Sequence, residues 1–194
     1  MNMQVGVLAL QGAFAAHSDC LTSIGVQSIE VRTPEQLSSV DALLMPGGES
    51  STMSQLLESS GLFEPIAARI ADGMPVFGTC AGMILLASEI LDGRSDQRNF
   101  SAIDISVRRN AFGRQVDSFE ATIKSSVGDF QGVFIRAPRI ERVGDQVEIL
   151  GSINDEPVLV RQGNVLAASF HPELSNDARL HEYFVSVTAN RKKV

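Results

Sequence analysis

Cysteine is scarce in this chain of 194 residues: Cys20 and Cys80 are the only two, too few for a disulfide framework, and a reducing, cytoplasmic setting is expected. No stretch approaches the roughly 18 consecutive apolar residues of a membrane span. The start, Met1-Asn2-Met3-Gln4, lacks the basic region and small-residue cleavage site of a signal peptide. Basic residues are outnumbered, 16 Lys and Arg against 23 Asp and Glu, and the net charge of −7 argues against a phosphate-tracking surface for nucleic acid. Internal repeats, low-complexity segments and linkers are absent. With 44% hydrophobic and 20% charged residues, the composition is that of an ordinary globular protein, and the length suits a single domain over residues 1–194.

What is present is organised around residues 75–86. An apolar run, Val76 and Phe77, leads into Gly78-Thr79-Cys80-Ala81-Gly82 and then into Met83-Ile84-Leu85-Leu86-Ala87. The pattern predicts strand, tight turn and helix, the thiol counterpart of the Gly-x-Ser-x-Gly elbow in which a strained turn exposes a nucleophile above a sheet edge. A lone cysteine is ordinarily a small buried hydrophobe. Two flanking glycines at a strand-to-helix junction instead make Cys80 a candidate nucleophile. The glycines let strand and helix pass closely, and Ala81 places an N–H at the helix start, where donors lack intrahelical partners. The helix dipole contributes only about 0.3–1 kcal/mol to an anion there, so a base elsewhere in the chain is required.

Around this stretch the first half reads as βαβ. Residues 4–10 are a nearly continuous apolar run, the pattern of a strand buried on both faces of a parallel sheet. Residues 13–24 form a helix closed by Gly25. Within it His17 is expected at the surface or as a cap, and Cys20 as core filler. Strands follow at 26–31 and 41–45, the latter ending in Pro46-Gly47-Gly48-Glu49-Ser50-Ser51-Thr52. Adjacent glycines between strand and helix expose successive N–H groups that suit an anion or oxyanion, with Ser50 or Ser51 capping the next helix. A short helix spans 65–72. The second half is strand-rich: after a polar loop at 92–99, strands are predicted at 103–108, 118–124, 132–135 and 146–150, then a hairpin of 158–161 and 165–170 about Gln162-Gly163-Asn164. The last element, 177–190, is an amphipathic helix with Leu180, Phe184 and Val187 on one face, followed by basic Arg191-Lys192-Lys193.

Three histidines make the search for a base short. His181 lies in the terminal helix and is expected to be solvated. His171 follows an apolar strand and precedes Pro172-Glu173. The residue before proline favours extended geometry, in which positions i and i+2 point the same way, so His171 and Glu173 address one site. A carboxylate on the imidazole fixes its tautomer and stabilises the imidazolium formed on taking a thiol proton.

Gly47-Gly48-Glu49-Ser50, Gly78-Thr79-Cys80-Ala81-Gly82 and Phe170-His171-Pro172-Glu173 resemble the three motifs of class I (triad) glutamine amidotransferases. Leu8-Ala9-Leu10-Gln11-Gly12, Pro46 to Thr52, Arg109-Asn110-Ala111-Phe112-Gly113-Arg114-Gln115 and Phe134-Ile135-Arg136-Ala137-Pro138 are similar to the stand-alone glutaminase subunits of pyridoxal 5′-phosphate synthases. The polar loop at 92–99 is longer than the family pattern. The resemblance implies an α/β fold: a three-layer, open, mostly parallel, flavodoxin-like sheet with helices on both faces and a strand-rich second half. It also implies a Cys80-His171-Glu173 triad that hydrolyses L-glutamine through a glutamyl thioester, and an oxyanion hole from the N–H groups of Gly48 and Ala81. Gly47, Gly48, Glu49, Arg109, Ile135 and Arg136 are implied as substrate contacts. The implied partner is a separate barrel-fold synthase that takes the ammonia, with pyridoxal phosphate as product of the assembly; no cofactor or metal is expected in this chain. A glutaminase subunit of another amidotransferase, a γ-glutamyl hydrolase and a non-catalytic binding module are the alternative readings.

Overall fold

The apolar run after Met3 forms β1 (Gln4–Leu8) in the computed structural model, which describes residues 3–109, 111 and 118–191. Helix α1 (Phe14–Ser23) follows, and the chain turns at Gly25 into β2 (Gln27–Val31), parallel to β1. A short helix α2 (Pro34–Ser38) precedes β3 (Ala42–Met45), which pairs in parallel with the other side of β1. Helices α3 (Ser50–Ser59) and α4 (Phe63–Ala71) lead to β4 (Val76–Thr79), parallel to β3, and then to α5 (Ala81–Leu86). Strands β5 (Ala87–Ile90), β6 (Ile103–Arg108), β7 (Phe119–Ser125), β8 (Phe130–Phe134), β9 (Arg139–Val143), β10 (Glu148–Ile153), β11 (Glu156–Gln162) and β12 (Val165–Ala168) come next. A 3₁₀ turn (Pro172–Leu174) and α6 (Arg179–Arg191) close the described chain.

Among the described residues nine strands make one sheet in the order β2-β1-β3-β4-β12-β11-β10-β7-β8, and β5, β6 and β9 make a second. From β2 to β12 neighbouring strands are parallel, and from β12 to β8 they are antiparallel. Alternation along the strands divides the apolar residues between two cores. Val5, Val7, Leu44 and Phe77 face one side with Leu21 of α1 and Leu180 and Phe184 of α6. Leu8, Leu43, Met45 and Val76 face the other with Leu37, Met53, Phe63 and Met83 from α2 to α5. The expected open, mostly parallel sheet with helices on both faces and a strand-rich second half is therefore observed. No helix among the described residues is long and apolar enough to cross a membrane.

The elbow glycines act by close approach. A Cβ on Gly82 would lie 2.1 Å from the Met45 carbonyl oxygen, and one on Gly78 would lie 2.6 Å from the Gly82 carbonyl carbon. Strand β4, strand β3 and α5 thus meet backbone to backbone. Gly82→Ala is expected to lower unfolding free energy by about 1–3 kcal/mol, the usual range for forced overpacking, as read by chemical denaturation.

Several local expectations are corrected. Neither Ser50 nor Ser51 caps α3: the side chain of Glu49 accepts from Ser51 N and Thr52 N, a longer acceptor reaching two donors at once. The chain continues from α5 directly into β5. Helix α2 and strand β9 were not anticipated. The former is set by a Thr33–Gln36 capping box with Pro34 at its start rather than by an apolar stripe. The charged side chains of Arg139, Glu141 and Arg142 mask β9, and its pairing with β6 is reinforced by Arg108–Glu141 and Arg142–Asp104 ion pairs. Helix α6 buries Leu180 and Phe184 as expected, but His181 and Thr188 complete the buried stripe while Val187 is only half-buried. The inward face is rotated from the expected one, so His181 is buried and not solvated. His17 is buried as well, not at the surface, because α1 and α6 pack on the same face of the sheet. Cys20 is only half-buried, its thiol 4.0 Å from the Glu173 carbonyl oxygen. Of the basic tail, Lys192 and Lys193 lie outside the described residues, as do Asn110 and the segment from Phe112 to Gln115.

Candidate active site

Because the last strand, β12, is inserted beside β4, Ala168 pairs with Thr79 and the two strands deliver Cys80 and His171 to the same edge. Cys80 occupies φ 49° and ψ −104°, a sparsely populated conformation for a residue with a Cβ. Such strain persists only where the surroundings over-determine it. Here the Cys80 N–H donates to the Ala168 carbonyl at 2.8 Å, and the two elbow glycines admit the neighbouring helix. The result aims the thiol into a cavity of about 270 Å³, while the residue remains 6% exposed.

His171 is fixed from three directions. Its N–H donates to the Val133 carbonyl at 2.8 Å, its Nδ1 lies 2.8 Å from Glu173 Oε1, and its imidazole hydrogen-bonds Cys80. Histidine and glutamate meet as expected, but not along an extended segment: residues 172–174 wind into a 3₁₀ turn that brings the carboxylate back under the ring. Burial alone would push the imidazole pKa down. The hydrogen bonds and charges of Cys80 and Glu173 outweigh burial and hold it up at about 10. For Glu173, burial acts upward, and the hydrogen bond from His171 with the charges of His17 and His171 brings the carboxyl below its usual range.

Gly47, Gly48 and Glu49 line the cavity opposite Cys80. A Cβ on Gly47 would stand 2.4 Å from His171 Cε1 and 3.3 Å from Cys80 Cβ, so any larger residue would displace the imidazole. Gly47→Ala is expected to cut any turnover that uses Cys80 and His171 about 100-fold, a misplacement-sized loss, with thermal unfolding little changed; steady-state kinetics beside a melting curve checks it. Glu49 holds Ser51 N at 3.1 Å and Thr52 N at 2.7 Å, and these bonds, with one from the Thr52 hydroxyl, outweigh burial to lower its pKa.

Arg109, Ile135 and Arg136 also line the cavity, as expected. Arg109 is anchored: its guanidinium donates to Ser51 Oγ and to the Asp92 carbonyl, each at 2.8 Å, and stands 3.9 Å from Glu49 Oε1. The polar loop at 92–99 supplies this anchorage. Gln97 Oε1 accepts from Ser51 Oγ at 3.2 Å, and Arg98 stacks 3.7 Å above the Phe63 ring while pairing with Glu58 and Glu64. Arg136 is exposed with φ 45°, and no hydrogen bond or ion pair from the described residues holds its guanidinium.

Of the other expected residues, Ala81 places its N–H at the start of α5 beside Cys80, and Glu173 sits behind His171 rather than on the cavity wall. Gly12, Ile84 and Leu174 line the cavity without having been singled out. Gly12 had a legible signal: it followed Gln11 at the end of a predicted strand, where its φ of +87° and a Cβ position 1.7 Å from the Gly47 carbonyl oxygen permit only glycine. Ser51, Gln97 and Asp92 had none, since their role depends on folding a distant loop over α3. No group of three or more His, Cys, Asp and Glu among the described residues is arranged to hold a metal ion.

The model of the SNO glutamine amidotransferase family matches residues 7–190. The pyridoxal 5′-phosphate synthase subunit PdxT of Corynebacterium jeikeium is 55% identical over 194 residues, covering 97% of this chain and 98% of its own. The subunit of the same name from Salinispora arenicola is 56% identical over 191 residues, covering 94% and 95%. A glutamine amidotransferase crystal structure superposes with a TM-score of 0.91 at 49% identity, covering 95% of this chain and 98% of that one. A putative GMP synthase protein from Thermoplasma acidophilum, at 15% identity, a TM-score of 0.71 and coverage of 100% and 97%, shares the fold. The chain belongs to the SNO glutamine amidotransferase family.

Proposed function

We propose that this chain hydrolyses L-glutamine to L-glutamate and ammonia with Cys80 as nucleophile, His171 as acid and base, and Glu173 as orienter of His171, and that it delivers the ammonia to a separate barrel-fold synthase making pyridoxal 5′-phosphate. The carrying observation is the strained Cys80 hydrogen-bonded to an imidazole whose Nδ1 is held 2.8 Å from a buried carboxylate. Family membership and the names of the PdxT relatives support the substrate and the pathway.

The chemistry follows from the positions. The Cys80 thiolate, the reactive form of a cysteine, attacks the side-chain amide carbon of glutamine. The oxyanion meets the N–H groups of Ala81 and Gly48. His171, protonated at neutral pH, gives its proton to the amide nitrogen, the C–N bond breaks, and ammonia leaves a glutamyl thioester. Neutral His171 then takes a proton from water, hydroxide attacks the thioester, and the C–S bond breaks to restore thiolate and imidazolium. Arg136, uncommitted at the cavity wall, takes the substrate α-carboxylate, while Glu49 and the anchored Arg109 shape the far end. A cavity of about 270 Å³ suits a free amino acid; pockets for drug-sized ligands run to ~300–1,000 Å³.

Ammonia released into neutral water becomes ammonium and is lost as a nucleophile, which is why a synthase must receive it directly. The test is glutamate release with and without a barrel-fold pyridoxal phosphate synthase. Release stimulated by the synthase supports both halves of the reading. Cys80-dependent release indifferent to the synthase moves the partner to another amidotransferase, and no release in either condition removes the activity.

A further inference from the structure

Two buried histidines lie behind the proposed triad, and the mechanism above gives them no task. His17 of α1 and His181 of α6 are both 0% exposed, with His17 Nδ1 2.9 Å from His181 Nε2. The other ring nitrogen of His17, Nε2, lies 3.2 Å from Thr79 Oγ1 and 3.3 Å from Glu173 Oε2. That oxygen is buried with no other hydrogen-bond partner among the described residues, as is His181 Nδ1. The contacts therefore run His181, His17, Glu173, His171, Cys80, and Thr79 ties the chain to the residue preceding the nucleophile.

Two proton arrangements satisfy the His17–His181 contact, and electrostatics chooses between them. Were Thr79 the donor to His17 Nε2, a lone pair would face the Glu173 carboxylate at 3.3 Å and a buried N–H of His181 Nδ1 would be left without an acceptor. Orphaned buried donors are the rarer defect. In the opposite arrangement His181 Nε2–H donates to His17 Nδ1, His17 Nε2–H points between Thr79 Oγ1 and Glu173 Oε2, and only an acceptor lone pair is left bare. Resting on the triad reading, we infer that His17 and His181 form a two-imidazole relay whose terminal N–H is directed at Glu173 Oε2, making both histidines positioning residues for the glutaminase triad.

The two rings also stay neutral in the working range. Burial, opposed by the Glu173 charge and reinforced by that of His171, lowers His17 to about 4; burial and His17, opposed by Glu173, lower His181 to about 3. The titratable groups facing Glu173 are His171, His17 and Cys20, with Asp19 beside Cys20 on α1 and His181 behind His17. A donor to a carboxylate favours its ionised form, so removing His17 raises the Glu173 pKa. The acid limb of turnover then moves to higher pH.

The test combines nitrogen-15 histidine NMR of the native chain with kinetics of four variants and Cys80→Ala as control. Both His17 and His181 are expected as neutral Nε2-protonated tautomers throughout pH 5.5 to 8.5. His17→Phe is expected to lose kcat about tenfold with KM within twofold, and to shift the acid limb upward by about one pH unit. His17→Gln, which keeps an N–H donor, recovers most of the loss, and His181→Phe shows a smaller shift of the same sign that His181→Gln reverses. An Nδ1-protonated His17, titration of either ring in that range, or a folded His17→Phe with unchanged kcat and acid limb overturns the relay. Should the Phe variants not fold, the native tautomers decide the question alone. Turnover surviving in Cys80→Ala is a separate result, which removes the triad reading itself.

Discussion

Cys80→Ala is expected to reduce glutamine hydrolysis by at least about 10⁴-fold, because a triad acts as a unit and, among the described residues, Cys80 is the cysteine that lines the cavity while Cys20 does not. Glutamine should still bind within a few-fold of its native affinity, since the groups assigned to the substrate, Arg136, Glu49 and the Gly47-Gly48 backbone, are untouched. Steady-state glutamate release and calorimetric binding give the two numbers. Cys20 provides an internal comparison. Its thiol is pushed up by burial and by the nearby Glu173 and Asp19 charges, so it is the poorer nucleophile. A glutamine-like chloroketone should label Cys80 rapidly and leave Cys20 unmodified.

The second large effect concerns His171. His171→Gln removes the proposed acid that protonates ammonia and the proposed base that activates water, and a loss of about 10³–10⁴-fold is expected. The native enzyme's pH dependence follows from the same residue. Its folded pKa, about 10, stands above the ordinary histidine value. The protonated form is therefore favoured by the fold, and its contribution to stability is full below the unfolded value near 6.5 and lost as pH rises through about 10. Activity should decline on the alkaline side only over that approach to 10, not near 6.5. Glu173 carries the opposite sign: its lowered pKa contributes stability above the ordinary carboxylate value, lost as pH falls through the folded one. A pH profile of kcat with unfolding followed in parallel separates the two limbs.

The parts of this site that were legible in the sequence are those written in local chemistry. Gly78, Cys80 and Gly82 announced the elbow because backbone contact between β4, β3 and α5 tolerates no side chain there, and the Gly47-Gly48 loop carried a similar steric signature. His171 and Glu173 were legible as a pair, although the turn joining them was not, because a proline at position 172 is compatible with both an extended segment and the first residue of a 3₁₀ turn. What stayed hidden depended on long-range packing. Whether His17 and His181 face solvent is decided by α1 and α6 sharing one side of the sheet, a fact that neither helix encodes alone. The anchorage of Arg109 depends on a loop of Asp, Gln and Arg residues whose composition reads as solvated surface until it is laid across α3. Strand β9 likewise disappears into its own charges unless its partner β6 is known.

The glutamyl thioester on Cys80 is the species on which the account turns. Rapid acid quench of the enzyme with glutamine, followed by peptide mass mapping, tests for it directly. The account predicts a glutamyl adduct confined to the peptide bearing Cys80, appearing with the burst of ammonia and absent from Cys80→Ala. Glutamate release with no adduct on Cys80 under any quench, or an adduct on Cys20 instead, would contradict it.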